Sequence, residues 1–313
     1  MTDENENNII HLPAIPPLRP LTKTESRLIE HSEIIRNYKP EKDDIAFHHS
    51  IFCQTALPHR STSERILQRQ NGHVSLRVEA GVAMHPQTQE WVNLPMPSGI
   101  KSRLILIHMD SFAISHNTPE IDMGDSMTAF LKGLQGYSPN GKELTAFKQH
   151  AAAITGALFR FGTAKNKQSA HQVDTKIVTS FDMWFPKDPN QRTLWPTFVR
   201  LSADYYNTLK IHAVPLDRRA LAALQHSALA LDIYKWLAQR LCRIDADDYS
   251  FIPWPEISLQ FGSPYKRLRA FRDVFLETLR TVQAEYPRAN VTADGKGVRL
   301  RFSEPPVPKL TAV

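Results

Sequence analysis

The apolar residues between Pro264 and Pro287 recur at steps of three and four, and this is the strongest periodic signal in the chain. Such spacing predicts one buried stripe on a long amphipathic helix, from Tyr265 to about Glu285. The stripe consists of Leu268, Phe271, Phe275, Leu279 and Val282. Because such a stripe must be covered by other elements, we expect the C-terminal third of the chain to fold around this helix.

The segments on either side of the long helix predict a winged helix-turn-helix module. A short strand, YSFIPW, precedes a helix that has Pro255 in its first turn and ends near Phe261. The turn Gly262-Ser263-Pro264 then leads into the long helix. The turn Asp294-Gly295-Lys296-Gly297 predicts a closing hairpin over Asn290 to Phe302. Strand, helix, turn, helix and hairpin is the order of a winged-helix DNA-binding domain.

The same order of elements is predicted once more, earlier in the chain. The predicted elements are a helix Gly99 to Ser115, a strand Glu120 to Met123, helices Gly124 to Leu134 and Lys142 to Thr155, and β-rich stretches Ala157 to Thr163 and Gln172 to Trp184. The two β-rich stretches are expected to form the first wing, with a basic tip between them. No sequence identity relates the two copies, which share only the order of their elements.

The predicted fold class is therefore α+β, with two tandem winged-helix domains and a disordered N-terminal tail. We place the domains at residues 46–200 and 201–305, with a short tail at 306–313. Residues 1–45 hold a proline cluster in Asn- and Glu-rich sequence, which cannot bury enough apolar surface to offset its ordering entropy. A short helix from Thr24 to Tyr38 is expected within this tail, apart from the body.

Charge and cysteine content favour a polyanion-binding protein of a reducing compartment. Lysine plus arginine number 38 against 32 aspartate plus glutamate, a formal charge of +6. Cys53 and Cys242 lie far apart, which argues against a disulfide framework or a zinc finger. The first residues do not resemble a signal peptide, and the apolar runs fall far short of the ~18 residues that span a membrane. We expect a cytoplasmic protein with no membrane association.

Basic residues gather at the start of the long C-terminal helix, the end at which a recognition helix enters the major groove. They are Lys266, Arg267, Arg269 and Arg272. The helix dipole disfavours cations at this end by ~0.3 to 1 kcal/mol each, and the acidic residues Asp273 and Glu277 come only later. We interpret the cluster as a DNA-contacting surface, the alternative being a solvated basic face.

The other candidate DNA contacts lie in the first module and in the two wings. The second helix of the first module is assigned to phosphate contacts or dimerisation, through Lys142, Thr145, Lys148 and Gln149. The hairpin tips would lie over phosphates, through Lys165 and Lys167 in the first wing and Lys296, Arg299 and Arg301 in the second. Lysines at hairpin tips also serve solubility, which is the alternative for this group.

Motifs for nucleotide, metal or nicking chemistry are not found. The nearest approach to a phosphate-binding loop, Pro139 to Glu143, lacks the first glycine and the hydroxyl, so no cofactor is predicted. Tyr205 and Tyr206 offer a nucleophile for DNA nicking, but no His-apolar-His triplet accompanies them. No metal is predicted, because four candidate ligands match no zinc spacing and are expected to be scattered over the surface. They are His48, His49, Cys53 and His59.

Two further groups of residues have structural interpretations. Asp245, Asp247 and Asp248 are expected in a solvated loop between a helix and a strand. The five tryptophans are interpreted as core anchors because they stand among apolar neighbours; those considered individually are Trp184, Trp195, Trp236 and Trp254.

From roughly Trp91 to Val282 the chain resembles the RepA-type plasmid replication initiators of proteobacteria. The most specific segments are NLPMPSGIKSRLILIHM, FDMWFPKDPNQRTLWPTFVRLSADYYNTL, HAVPLDRRALAALQHSALALDIYKWLAQRL and FIPWPEISLQFG. The resemblance implies binding to repeated double-stranded sites at a plasmid origin, origin opening with a host initiator and helicase, and frequent repression of the protein's own gene. The FDMWFP and VPLD phrases are interpreted as links between the first wing and the second module.

Three functions remain open on the sequence alone. An initiator without enzymatic activity, in which the second module contacts bases, is the leading hypothesis. A dimeric transcriptional repressor with no role in replication is the second, and an origin-nicking enzyme is the third. A homodimer would be expected to bind a two-fold symmetric site, whereas an initiator would bind an array of direct repeats.

Overall fold

The computed structural model describes residues 21–84, 88–122, 128–129, 131–132, 140–164, 170–180, 198–261 and 267–308. Its helices are α1 (Lys23–Asn37), α2 (Ser50–Gln54), α3 (Gly99–Ser115), α4 (Gly141–Gly156), α5 (Ala203–His212), α6 (Arg218–Leu224), α7 (Ala228–Arg240), α8 (Trp254–Phe261) and α9 (Leu268–Glu285). Its strands are β1 (Ile45–His49), β2 (Ile66–Asn71), β3 (Val74–Glu79), β4 (Val82–Met84), β5 (Trp91–Asn93), β6 (Glu120–Asp122), β7 (Leu158–Ala164), β8 (Ala170–Thr175), β9 (Val178–Ser180), β10 (Phe198–Leu201), β11 (Ala213–Asp217), β12 (Tyr249–Pro253), β13 (Val291–Ala293) and β14 (Gly297–Arg301). The α+β class is confirmed.

The C-terminal module contains the elements that the sequence predicted, in the predicted order. Strand β12 is followed by α8, α9 and the antiparallel hairpin β13–β14. The three strands form a sheet of order β12-β14-β13, in which the first strand pairs with the last. The turn from Gly262 to Pro264 and the predicted helix start at Tyr265 lie outside the described residues.

The first module has a sheet of the same connectivity, but not the one predicted. Strand β6 pairs with β10 and β10 with β9, so the order β6-β10-β9 matches β12-β14-β13 when strands are counted along the chain. The prediction that the β7–β8 hairpin is the wing of this sheet is wrong, because β7 pairs with β3 instead. The FDMWFP phrase, interpreted above as part of the link to the second module, lies outside the described residues.

The β7–β8 hairpin belongs to a separate antiparallel sheet of order β2-β3-β7-β8. Its inner face carries Leu67, Leu76, Val78 and Phe159, which are buried in the main core. Its outer face holds a ladder of charges, in which Arg160 donates hydrogen bonds to Glu79 and Asp174. No element was predicted between Phe47 and Gly99, so β2 and β3 are additions of the structure.

The predicted tail is partly wrong, since residues 21–45 belong to the body. Helix α1 agrees with the predicted helix, and Thr22 caps it by accepting a hydrogen bond from the Glu25 N–H. It packs against α6 and α9, and Leu28 and Ile35 contact the main core. Packing of this amphipathic face offsets the ordering entropy that was expected to leave the segment free. Residues 1–20 of the predicted tail lie outside the described part of the chain.

The two modules share one continuous hydrophobic core, which runs from Leu104 in α3 to Phe275 in α9. Strand β1 pairs antiparallel with β11 along its whole length, from Ile45 opposite Asp217 to His49 opposite Ala213. An ion-paired cluster around Asp232 joins α3 to α7 within this core. These contacts hold the modules in one arrangement. None of the helices in the described ranges is long and apolar enough to cross a bilayer.

Candidate nucleic-acid interface

The start of α9 presents basic side chains to solvent, as the sequence predicted. Arg267, the N-cap residue, and Arg269 in the first turn are exposed. Arg272 is 33% exposed, and its Nε lies 3.6 Å from the Asp273 carboxylate. No acidic residue lies in the first turn of α9 to offset this charge. Lys266, the fourth predicted contact, lies outside the described residues.

The apolar stripe of α9 anchors this basic end to the core. Phe271, Phe275, Leu279 and Val282 are buried, as predicted. Leu268 is 43% exposed, so its predicted burial is wrong. Leu268 lies one turn before Phe271 on the same stripe, at a point where no other described residue covers it fully. The anchored stripe fixes which face of the helix turns outward, and Arg269 lies on that outer face.

The turn between β13 and β14 is held beside the helices by Trp254. The Trp254 indole Nε1 donates a hydrogen bond of 2.9 Å to the Asp294 carbonyl oxygen, and its backbone N–H donates to the Lys296 carbonyl oxygen. The Asp294 carboxylate accepts hydrogen bonds from the N–H groups of Lys296 and Gly297. This turn therefore has a defined conformation, with the Lys296 side chain exposed at its tip.

The outer face of the β12-β14-β13 sheet is basic and aromatic. Arg299 and Arg301 alternate with the buried Val298 and Leu300 along β14 and point outward. Their guanidinium carbons lie 5.2 and 5.8 Å from the ring centroid of Tyr249 on the neighbouring strand. Neither arginine forms an ion pair within the described residues. Tyr249 was not among the predicted contacts; its position opposite Arg301 in the sheet places it on this candidate surface.

Helix α4 of the first module presents a mainly uncharged polar surface. Lys142, Thr145 and Gln149 are exposed, and the Thr145 hydroxyl donates back to the Gly141 carbonyl oxygen. Lys148 lies within this helix, while Lys165 and Lys167 fall outside the described residues. Among the side chains that the structure describes, basic residues are therefore denser at the start of α9 than on α4.

The tyrosines considered as nucleophiles are buried. Tyr205 is 0% exposed, and its hydroxyl donates a hydrogen bond of 2.7 Å to the Asp110 carboxylate. Burial, together with the charge of Asp110, raises the pKa of Tyr205 well above its ordinary value. Tyr206 is also buried, and its hydroxyl donates to Asn117 Oδ1. Neither hydroxyl is placed to attack a DNA phosphate in this arrangement.

The predicted surface location of the histidine and cysteine group is wrong. His48, His49 and Cys53 are buried at the joint between the modules. His48 Nδ1 lies 2.7 Å from the Asp110 carboxylate, which also accepts from the His49 N–H. Burial lowers the pKa of His49 to about 4, so its ring is neutral near pH 7. Within the described ranges, no group of three or more His, Cys, Asp or Glu residues could hold a metal ion.

The remaining structural predictions, on the acidic cluster and the tryptophans, are confirmed in part. Asp245, Asp247 and Asp248 are exposed between α7 and β12. Trp236 and Trp254 are core anchors, at 1% and 2% exposed, but the fifth tryptophan, Trp91, is 72% exposed and contradicts the general interpretation. Trp184 and Trp195 lie outside the described residues.

Comparison with known proteins gives one family match. The family described as "Plasmid encoded RepA protein" matches residues 97–254, which is half of the chain. Two solved structures, both of domains 2 and 3 of RctB, match this chain at low similarity. One, a selenomethionine derivative, has a TM-score of 0.47 at 10% identity, covering 82% of this chain and 96% of the other. The second has a TM-score of 0.45 at 10% identity, covering 81% and 96%. A search of curated proteins found no match.

Proposed function

We propose, from the premise that this chain belongs to the family of plasmid-encoded RepA proteins, that it is a replication initiator binding double-stranded origin repeats sequence-specifically. The observation that carries this proposal is the exposed basic start of α9, anchored to the core and flanked by a hairpin with a basic tip. An α-helix fits the major groove, and arginines at its leading end can donate to guanine O6 and N7. In this account the exposed Arg269 contacts bases and Arg272 contacts bases or phosphates.

Both modules are proposed to be winged-helix domains. The shared strand connectivity of β6-β10-β9 and β12-β14-β13 supports this, as does the helix pair α8–α9 that precedes the second hairpin. We assign base contacts to the second module, and phosphate contacts or dimerisation to α4 of the first. The DNA phosphates beside the helix would compensate the positive charge of the hairpin residues Lys296, Arg299 and Arg301.

The basic residues at the N-terminal end of α9 are better explained by DNA binding than by a contribution to helix stability. Cations at a helix N-terminus oppose the dipole, and no first-turn carboxylate neutralises those of α9. DNA phosphates would supply the missing negative charge. By contrast, Arg160 on the β7 surface is neutralised by Glu79 and Asp174 of the same sheet. Arg267 and Arg269, which form no ion pair within the described residues, therefore support the α9 side as the proposed DNA-facing surface.

The remaining parts of the proposal follow from family membership. The protein would act in the cytoplasm, open the origin with host factors and repress its own gene, without a cofactor. We also propose that it is not an enzyme, and the burial of Tyr205 and Tyr206 supports this by removing the tyrosines considered for nicking. A dimeric repressor remains the competing function, and an array of direct repeats in the footprint would argue against it.

Two substitutions on one helix test the proposed base contacts. After footprinting on plasmid DNA defines a site, Arg269→Ala is compared with Arg280→Ala, whose side chain is exposed about three turns further along α9. We expect Arg269→Ala to weaken specific binding by about 1 to 3 kcal/mol and to relax preference at one base pair. Arg280→Ala should change affinity by less than about 0.5 kcal/mol, since it lies beyond the groove-entering turns. Equal losses for both would refute base contact by the leading end.

A further inference from the structure

Two aromatic side chains lie side by side on the outer face of the β12-β14-β13 sheet. Tyr249 and Phe251 are 51% and 40% exposed, although both belong to a paired strand. They are two residues apart on β12, so their side chains leave the same face of the sheet. The buried Val298 and Leu300 of β14 pack into the core on the opposite face. The two rings are therefore open to a ligand.

Each ring has an arginine opposite it on the neighbouring strand. In the antiparallel register Tyr249 lies opposite Arg301, and Phe251 lies opposite Arg299. The guanidinium carbons of both arginines are within 6 Å of the Tyr249 ring centroid, at 5.2 Å for Arg299 and 5.8 Å for Arg301. Such contacts orient the two cations without neutralising them. The face therefore combines flat apolar surface with fixed positive charge.

The acidic residues near this face leave its middle strand basic. The Asp294 carboxylate is engaged in the turn, where it accepts hydrogen bonds from the N–H groups of Lys296 and Gly297. Three exposed aspartates precede β12 and border the face at its Tyr249 end: Asp245, Asp247 and Asp248. A polyanion is therefore attracted to β14 and repelled beyond the beginning of β12.

The spacing of the rings favours unpaired bases. Side chains two residues apart on a strand are separated by roughly 7 Å. In one strand of a duplex, successive bases are only about 3.4 Å apart, and neighbouring bases cover their faces. Tyr249 and Phe251 can therefore each stack on one base only where the nucleic acid is single-stranded and extended. Strand β14 lies about 4.8 Å beside β12, so its arginines can reach the phosphates of the same strand.

We propose that this outer face binds single-stranded DNA, with one base stacked on Tyr249, the next on Phe251, and the adjoining phosphates held by Arg301 and Arg299. The inference rests on the proposed function only in assigning the two arginines to phosphates. When the origin opens, they would exchange duplex phosphates for those of one separated strand. Stacking accepts any base, so this surface holds a strand without reading its sequence.

Fluorescence anisotropy with labelled probes of about twelve nucleotides tests this proposal on the full chain at physiological salt. One probe is oligothymidylate, which forms no base pairs, and the second has the same backbone with tetrahydrofuran in place of every base. Both carry the same charge, but only the first can stack on the rings. We expect oligothymidylate to bind wild type at least about tenfold more tightly than the abasic probe, and oligouridylate to bind no more tightly than oligothymidylate.

Leucine substitutions locate the stacking. Phe251→Leu and Tyr249→Leu keep an apolar side chain but remove the ring, and each should weaken oligothymidylate binding at least about fivefold, whereas Tyr249→Phe should retain it. Phe251→Leu should leave the affinity for the footprinted duplex within about twofold, because paired bases do not expose their faces to this ring. Trp91→Leu is the matched control, since Trp91 is 72% exposed on β5, outside this sheet, and it should leave oligothymidylate binding unchanged.

Any of four results would overturn the proposal. Equal binding of oligothymidylate and the abasic probe by wild type would leave only electrostatic attraction to the backbone. Unchanged binding by either leucine variant of β12, or an equal loss for Trp91→Leu, would exclude stacking on this face. Tighter binding of oligouridylate than of oligothymidylate would assign the face to RNA. Because none of these probes is base-paired, the outcomes do not depend on whether α9 contacts bases in a duplex.

Discussion

Asp232 is expected to be the most stabilising single ionised residue at the joint between the modules. Its carboxylate accepts hydrogen bonds from Arg103 Nε and Nη2 at 2.9 and 2.6 Å, and lies 3.0 Å from Lys235 Nζ and 3.1 Å from His59 Nε2. Arg103 and Lys235 are 1% and 2% exposed. Replacing Asp232 by alanine would leave two buried cations without their carboxylate partner.

We expect Asp232→Ala to lower the free energy of unfolding by about 3 to 5 kcal/mol, the usual cost of breaking a buried ion pair on one side. That is a large part of the roughly 5 to 15 kcal/mol of a typical domain. Burial alone would raise the pKa of Asp232, but Arg103 and Lys235 hold it well below its ordinary value of 3.8. The contribution is therefore complete above that pH and is lost only as the pH falls through the lowered pKa.

Urea unfolding followed by far-UV circular dichroism and tryptophan fluorescence measures this loss. Asp247→Ala is the matched control, since its side chain is exposed, and it should change stability by less than about 0.5 kcal/mol. A loss below about 1 kcal/mol for Asp232→Ala would refute the reasoning. It would mean that Arg103 and Lys235 find water or other partners at no cost.

Three further changes test other parts of the structure. The stability contributed by Glu285 should be lost as the pH rises from about 5 to 8, because the folded chain holds a proton on this carboxyl up to a pKa of about 8; in parallel melts the stability of wild type relative to Glu285→Gln should therefore decrease over this range, and a constant difference would contradict it. Tyr205→Phe should cost about 1 to 3 kcal/mol in urea unfolding by removing the hydrogen bond to Asp110, with DNA affinity unchanged. Gly297→Ala should disrupt the β13–β14 hairpin, since an added Cβ would clash with the Ile252 carbonyl oxygen; unaltered thermal unfolding would disprove that close approach.

The second module could be predicted from sequence because its signals are local. The three- and four-residue spacing of α9, the proline at the start of α8 and the Asp-Gly turn each specify their own element. Exposure of Arg267 and Arg269 followed from the same periodicity. Leu268 was misplaced because periodicity gives a direction around the helix but does not tell where the core ends.

The first module was predicted less well because its pairing is non-local. Two hairpins, β7–β8 and β9–β10, follow each other, and only the pairing of β10 with β6 identifies the second as the counterpart of the C-terminal hairpin. Strand β1 pairs with β11 across most of the chain length, which no local pattern encodes. His48 was expected on the surface, yet it is buried because Asp110, distant in sequence, provides its partner.

The central claim, that the leading end of α9 contacts base edges, is tested most directly by the specificity ratio of the wild-type chain. Its affinity for a footprinted plasmid site and for a scrambled duplex of equal length would be measured by fluorescence anisotropy over a range of salt concentrations. We predict a specific site bound at least about a thousandfold more tightly than the scrambled duplex at physiological salt. Equal affinities with the same salt dependence would contradict base contact and leave only an electrostatic attraction to phosphates.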